Sequence, residues 1–111
     1  MLAGSLQLPM IAHVVLLRLR KDLPRKAAEG LFAELAALQD RIPGIASFAG
    51  GPYSSPEGLN RGFTHGFVMH FRDERSRDAY LSHPEHEKVK EKVFGALDGG
   101  LDGVIAFDFA P

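Results

Sequence analysis

The order in which two kinds of hydrophobic periodicity follow one another is the feature that most constrains the fold of this 111-residue chain. Alternating or short apolar segments, which are typical of strands, are found at residues 12–20, 46–49, 63–71 and 104–109. Apolar side chains at intervals of three and four residues, which are typical of helices, run through residues 24–41 and 73–97. The chain therefore predicts the order strand, helix, strand, strand, helix, strand.

This order is typical of an α+β, ferredoxin-like sandwich built on a split βαβ unit. Right-handed crossovers place both helices on one face of a four-stranded antiparallel sheet with the strand order 4-1-3-2. The pattern is complete in residues 10–111, so we expect one domain there. Residues 1–9 are interpreted as an N-terminal extension that is dispensable for the fold.

Charge and cysteine content exclude several classes of partner. The net charge is -1 with acids and bases interspersed, which provides neither a basic stripe for nucleic acid nor a polybasic patch for membranes. The absence of cysteine excludes a disulfide framework and a thiol nucleophile, and it permits a reducing cytoplasm. Because there is also no transmembrane-length apolar run, we expect a cytoplasmic protein without nucleic-acid or membrane partners.

The sheet face that the helices leave uncovered is predicted to be too apolar for a monomer. Alternation places five large apolar side chains on it: Val14, Leu16, Val68, Ile105 and Phe107. Hiding several hundred Å² of such surface contributes on the order of 10 kcal/mol before the free-energy cost of association. We therefore predict a homodimer in which two sheets pack face to face.

The segment at residues 80–86 holds two imidazoles and a phenol around a proline. Pro84 suits the first position of a helix, which leaves His83 or Ser82 as the cap. Further along the same helix, His86 begins an apolar stripe that continues through Val89, Val93 and Leu97. We therefore expect an inward-facing His86 ring that is neutral or easily switched and can accept a proton.

The other histidines are expected at separate places on the sheet. His13 and His65 share the helix-side face, but antiparallel pairing puts them at opposite ends of it. His13 is better placed opposite Asp108 of the last strand, while His70 alternates onto the uncovered face. A metal site from His83 and His86 is disfavoured because the proline interrupts the helix between them, and no metal or cofactor is predicted.

Five segments of the chain, taken together, resemble the stress-responsive α/β-barrel (Dabb) domain. They are His13-Val14-Val15-Leu16-Leu17, Ile42-Pro43-Gly44-Ile45, Gly62-Phe63-Thr64-His65-Gly66-Phe67, Tyr80-Leu81-Ser82-His83-Pro84-Glu85-His86 and Phe107-Asp108-Phe109. The resemblance spans residues 10–109 and implies a ferredoxin-like fold that dimerises through its sheets into a barrel. It implies less about activity, since members include stress-induced oligomers, proteins with no assigned reaction and a plant branch similar to a polyketide cyclase.

The cyclase-like branch closes a ring by intramolecular aldol condensation without a cofactor, and its acid/base pair matches Tyr80 and His86. By this resemblance His86 abstracts the proton α to a carbonyl, and Tyr80 hydrogen-bonds the oxygen that becomes negative. The implied ligand-binding positions are His13, Val15, Leu17, Leu31, Phe32, Leu35 and Phe67, with His83 either a ligand contact or a cap. The chain departs from that branch at Leu35, Ala36 and Ala46, which favours a different ligand or none.

Three functions remain open at this point. The first is a cofactor-independent enzyme, of cyclase or lyase type, that acts on a small apolar carbonyl compound. The second is a noncatalytic dimer or oligomer that protects or binds partners during stress, with Tyr80 and His86 as a structural pair. The third is a small monooxygenase-like dimer. A cavity of about 300 Å³ or more that reaches His86 favours the first, and a filled interior favours the second.

Overall fold

The computed structural model describes residues 10–111, and the predicted extension at residues 1–9 lies outside them. Strands and helices follow in the order β1 (Ile11–Leu17), α1 (Arg25–Ala37), β2 (Ile45–Pro52), β3 (His65–Phe71), α2 (Glu74–Leu81), α3 (Pro84–Ala96) and β4 (Val104–Phe109). Short 3-10 turns follow α1 at Leu38–Asp40 and precede β4 at Gly100–Gly103. No helix in this part of the chain has the length and apolar character needed to span a membrane.

The four strands form one antiparallel sheet in the order β2-β3-β1-β4. This is the predicted order 4-1-3-2 counted from the other edge, so the ferredoxin-like fold class is confirmed. Val14 marks the register at the centre of the sheet, where it lies opposite Val68 of β3 and Phe107 of β4. The predicted break in the second helical region is also confirmed, because α2 ends at Leu81 and α3 begins at Pro84.

Three of the four strands differ in length from the prediction. β2 is longer than residues 46–49, because Gly50, Gly51 and Pro52 continue the pairing with β3 instead of belonging to the following loop. A proline is tolerated there because β2 is an edge strand, and a Cβ at Gly50 would lie only 2.6 Å from Cβ of Phe67. β1 ends at Leu17 and β3 begins at His65, so both are shorter than predicted at those ends.

The hydrophobic core lies between the helices and the covered face of the sheet. β3 contributes its alternate side chains to this core, as predicted, and α1 contributes Leu31 and Leu35. The most completely buried large side chains are Tyr80, Phe71, Leu17, Leu38, Ile42 and Met69. The core therefore surrounds Tyr80, which is one of the two predicted catalytic residues.

The opposite face of the sheet carries the predicted apolar patch. Phe107 is 64% exposed and Ile105 is 43% exposed, while Leu16 lies beside them on β1. Val14 and Val68 are half-buried at the centre of the same face. Exposure of this much apolar surface is typical of a surface that meets a partner.

Candidate functional site

The break between α2 and α3 brings the two predicted catalytic side chains together. His83 caps α3, since its Nδ1 accepts a hydrogen bond of 3.1 Å from the backbone N–H of Glu85, and Pro84 takes the first helical position. Tyr80 therefore lies in the last turn of α2 and His86 in the first turn of α3. Their ring centroids are 4.2 Å apart with the planes inclined at 38°, so the two rings are in direct contact.

The Tyr80 phenol lies in the apolar interior. Its ring packs against Phe71 at 4.9 Å between centroids and approaches His13 edge-on at 6.0 Å. Burial raises the pKa of Tyr80 well above its usual value. The hydroxyl therefore stays protonated over the ordinary pH range and is suited to donating a hydrogen bond.

His86 has a fixed tautomer. Its Nδ1 lies 3.3 Å from the carbonyl oxygen of Leu81, and because a carbonyl only accepts, Nδ1 carries the proton. Burial lowers the pKa of His86, against smaller opposing effects of the Leu81 carbonyl and the Glu87 carboxylate. At neutral pH the ring is therefore neutral, and Nε2 is its basic nitrogen.

A cavity of about 180 Å³ adjoins this pair, between the sheet and α3. Most of its lining is apolar, and seven of the residues predicted for the site take part: His13, Val15, Leu17, Leu35, Phe67, Tyr80 and His86. Lys90 is a cation beside the histidine, and its charge also lowers the pKa of His86. The cavity can therefore hold a small apolar molecule in contact with one base and one hydrogen-bond donor.

Three residues predicted for ligand binding lie elsewhere. Leu31 is buried in the core, Phe32 lines a different groove at the opposite end of the helix layer, and His83 is engaged as the cap of α3. The resemblance implied pocket positions for Leu31 and Phe32, which both lie on the inward stripe of α1. That stripe extends past the cavity, and only Leu35 reaches it.

Further lining residues were missed by the sequence reasoning. They are Leu81, Lys90, Val93, Phe94, Val104 and Ala106. Two signals could have found some of them: Lys90 lies four residues after His86 on the same helix face, and Val104 and Ala106 alternate with Asp108 on β4.

His13 is held by the partner that strand register predicts. It lies opposite Asp108, and its Nδ1 donates a hydrogen bond of 2.6 Å to the Asp108 carboxylate, whose other oxygen accepts from Arg77 at 2.8 Å. Burial alone raises the pKa of Asp108, but the hydrogen bonds from His13 and Arg77 outweigh it and leave this pKa below its usual value. The carboxylate is therefore ionised at neutral pH and orients the His13 ring in the cavity wall.

The remaining histidines do not join this site. His13 aligns with Met69 and His65 with Leu17, which confirms that His13 and His65 lie towards opposite ends of the sheet. The Nδ1 of His70 lies 3.0 Å from the hydroxyl of Ser47. Within residues 10–111, no three His, Asp or Glu side chains converge in a way that could hold a metal ion.

The fold and the cavity together define a ferredoxin-like α+β protein with a cavity between sheet and helices that is lined in part by histidine and tyrosine side chains. More specifically, the chain belongs to the Dabb family, the stress responsive A/B barrel domain, whose family model matches residues 11–111. The resemblance inferred from five short segments is thereby confirmed. No curated protein sequence matches the chain.

Solved structures support the same fold. A dimeric ferredoxin-like protein of unknown function from Jannaschia sp. CCS1 is 26% identical, with a TM-score of 0.83, and the match covers 92% of this chain and 99% of that one. A protein from Arabidopsis thaliana is 28% identical, with a TM-score of 0.83 and coverage of 91% and 94%. A hydroxynitrile lyase from Passiflora edulis is 19% identical, with a TM-score of 0.81 and 95% coverage of both chains, and this likeness concerns the fold alone.

Proposed function

We propose that this chain forms a homodimeric, cofactor-independent enzyme of cyclase or lyase type that acts on a small, largely apolar carbonyl compound. The observation that carries the proposal is the contact between Tyr80 and His86 at the wall of a cavity that is otherwise mainly apolar. A base and a hydrogen-bond donor that face one cavity are the minimum needed to form and stabilise an enolate.

In this proposal His86 is the general base. The Leu81 carbonyl holds the proton on Nδ1, so that Nε2 can accept the proton α to the substrate carbonyl. The lowered pKa of His86 keeps the acceptor neutral at neutral pH. A base of this kind contributes about 10²- to 10⁴-fold to the rate of proton transfer.

Tyr80 is proposed to donate a hydrogen bond to the carbonyl oxygen as negative charge develops on it. Its raised pKa supports this role, because the phenol stays protonated, and so remains a hydrogen-bond donor, across the neutral pH range in which His86 is a neutral base. His13, oriented by Asp108, is a second polar group on the same wall that can contact the substrate.

The cavity limits the substrate to a compact molecule. Its volume of about 180 Å³ is below the range of about 300 Å³ and above that is usual for drug-sized ligands. The lining beyond Tyr80, His86, His13 and Lys90 is aliphatic or aromatic, so the body of the substrate should be apolar. A hydroxynitrile lyase shares this fold, but the proposal rests on the cavity and its side chains.

We also propose that the dimer forms through the uncovered sheet face, with Val14, Leu16, Val68, Ile105 and Phe107 in the interface. Support comes from the exposed apolar side chains on that face and from the similar structure that is described as dimeric. Packing these side chains against a second sheet removes from water the apolar surface that the single chain exposes on this face.

A noncatalytic dimer that binds a ligand or protects partners is the second candidate. The small volume of the cavity favours it, because about 180 Å³ in the single chain is less than the volume that we expected of an enzyme pocket. In that case Tyr80 and His86 form a structural pair at the helix break.

Exchange of α-protons distinguishes the two candidates without knowledge of the natural substrate. Cyclohexanone and acetophenone serve as probes in D₂O, with deuterium incorporation at the α-carbon followed by NMR. The intact protein should accelerate exchange above the buffer rate, and His86→Gln should reduce the acceleration by about 10²- to 10⁴-fold. His83→Ala is the matched control, because it removes an imidazole three residues away that caps α3 and does not line the cavity.

Each result separates the candidates. Probe binding, seen as saturable shifts of cavity resonances, with exchange no faster than in buffer supports the noncatalytic candidate. Equal loss in His83→Ala and His86→Gln, at equal thermal stability, contradicts the role of His86 as the base.

A further inference from the structure

A second, larger groove lies at the other end of the layer between helices and sheet. Its volume is about 540 Å³, and it is bounded by the loop that follows β1, the start of α1 and the end of β2. The rings of Phe32 and His65 lie 5.5 Å apart between centroids at this groove, and the aliphatic side chains of Leu19, Leu23 and Ala28 extend its apolar surface. Neither the proposed base nor its hydrogen-bond donor contributes to it.

The groove combines this apolar surface with an excess of positive charge. Arg20, Lys21 and Arg25 line it together with one acidic residue, Glu29, which pairs with Arg25 at 3.4 Å. Arg20 is engaged by Asp22 at 3.0 Å and by a backbone carbonyl. Lys21 has no ion-pair partner among residues 10–111, and three cations face two carboxylates even when Asp22 is counted.

The polar group beside the apolar surface is held in place and is uncharged. Nδ1 of His65 lies 2.9 Å from the hydroxyl oxygen of Thr64, and that oxygen also accepts a hydrogen bond of 3.1 Å from the backbone N–H of Leu19. Nε2 of His65 is thus the ring nitrogen left for a ligand. Burial lowers the pKa of His65, so this part of the groove is neutral at neutral pH and positive charge is confined to the rim.

We propose that this groove is a second binding site, separate from the Tyr80 and His86 cavity, for a small carboxylic acid with an apolar body. The carboxylate lies at the rim against Lys21 and Arg25, and the apolar body packs on Phe32 and the ring of His65. The volume suits such a molecule, and the excess of cations at the rim complements its single negative charge. The positive charge of a cationic amphiphile would be repelled by the cations at the rim. A neutral amphiphile would form no ion pair with them.

Octanoate is the probe, and n-octanol is its neutral counterpart. Binding is measured on the 111-residue chain by titration calorimetry and by amide chemical shifts. Octanoate should bind more tightly than n-octanol and should shift the amides of Gly50, Gly51 and His65. Because exposed charges interact modestly in water, Lys21→Gln combined with Arg25→Gln should weaken octanoate binding by roughly three- to tenfold and leave n-octanol unchanged.

A second double variant controls for the change in net charge. Lys26→Gln combined with Lys88→Gln removes the same two charges from side chains that do not line the groove, and it should leave octanoate binding unchanged. His86→Gln should also leave octanoate binding unchanged, so the proposal for the groove and the proposal for the Tyr80 and His86 cavity are tested independently.

Several results overturn the proposal. They are equal affinity for octanoate and n-octanol, equal weakening in the two double variants, shifts centred on His86 instead of His65, and no saturable binding.

Discussion

The imidazole of His13 and the carboxylate of Asp108 form a hydrogen bond of 2.6 Å between neighbouring strands, β1 and β4. Arg77 of α2 binds the other carboxylate oxygen at 2.8 Å, so the same group ties the edge strand to a helix. His13 is buried beside the candidate cavity, and the side chain of Asp108 is 24% exposed. One carboxylate thus serves both the packing of β4 and the orientation of a polar side chain in the site.

Replacement of Asp108 by Asn should make the protein less stable at neutral pH by about 1–2 kcal/mol, because a charge-assisted hydrogen-bond acceptor is lost. The pKa of Asp108 is lowered in the folded chain, so its ionised form stabilises the fold above the unfolded-state pKa. This contribution is lost as the pH falls through the lowered folded-state value. Urea unfolding of both proteins should therefore give a difference that is complete at neutral pH and shrinks once the pH falls below the usual aspartate value of 3.8.

Asp78→Asn is the matched control for this measurement. Asp78 also binds Arg77 at 2.8 Å, but its side chain is 67% exposed. An exposed pair of this kind contributes little, so a change of less than about 0.5 kcal/mol is expected. Equal effects of the two substitutions would contradict the structural importance of the pair formed by His13 and Asp108.

The pairing of His13 with Asp108 was predictable from the sequence, whereas the full lining of the adjacent cavity was predictable only in part. The strand order and the alternation of β1 and β4 suffice to place His13 opposite Asp108, because antiparallel register is a local rule. The contact between Tyr80 and His86 follows similarly from the proline that starts α3. Both depend on short segments whose geometry the residue types dictate.

The extent of the cavity could not be predicted in the same way. Periodicity puts Leu31, Phe32 and Leu35 on one inward stripe of α1, but the volume left between helix and sheet depends on how all facing side chains fill it. Phe32 therefore lines a different groove from Leu35. The extension of β2 through Gly50 and Gly51 was missed because glycines usually mark turns, and here they allow close packing at a sheet edge.

Gly44 should be intolerant of any side chain. Its φ of +92° lies in the left-handed region, and an added Cβ would overlap the side chain of Ser76. Gly44→Ala should therefore be destabilising by about 2 kcal/mol or more in chemical denaturation.

Gly30 is the control position, where replacement by alanine is expected to stabilise the protein instead of destabilising it. It lies within α1, and an added Cβ meets no atom within 4 Å. Gly30→Ala should stabilise the protein by about 0.5–1 kcal/mol, because alanine loses less backbone entropy in a helix. Equal effects of the two substitutions would show that the turn at Gly44 adapts to a side chain.

The proposed dimer can be tested at Val68, which lies on a central strand opposite Val14. Val68→Lys places a charge at the centre of the uncovered sheet face, where a partner sheet would have to bury it unpaired. Sedimentation analysis should show monomer or aggregate for this variant. Ala33→Lys, on the exposed face of α1, should remain dimeric, and a Val68→Lys protein that stays a well-behaved dimer would exclude contact through this face.

The pH dependence of catalysis provides the most specific test of His86. Because burial lowers its pKa below the ordinary value of 6.5, the proton-exchange rate should be constant at neutral pH and fall only on the acid side of 6.5. The raised pKa of Tyr80 predicts no matching loss on the alkaline side through ionisation of that phenol. Tyr80→Phe should lower the plateau by about tenfold or more and leave the acid inflection below 6.5. NMR titration of the His86 ring should give the same inflection, and an inflection above 6.5 in either measurement would rule out the buried, neutral base.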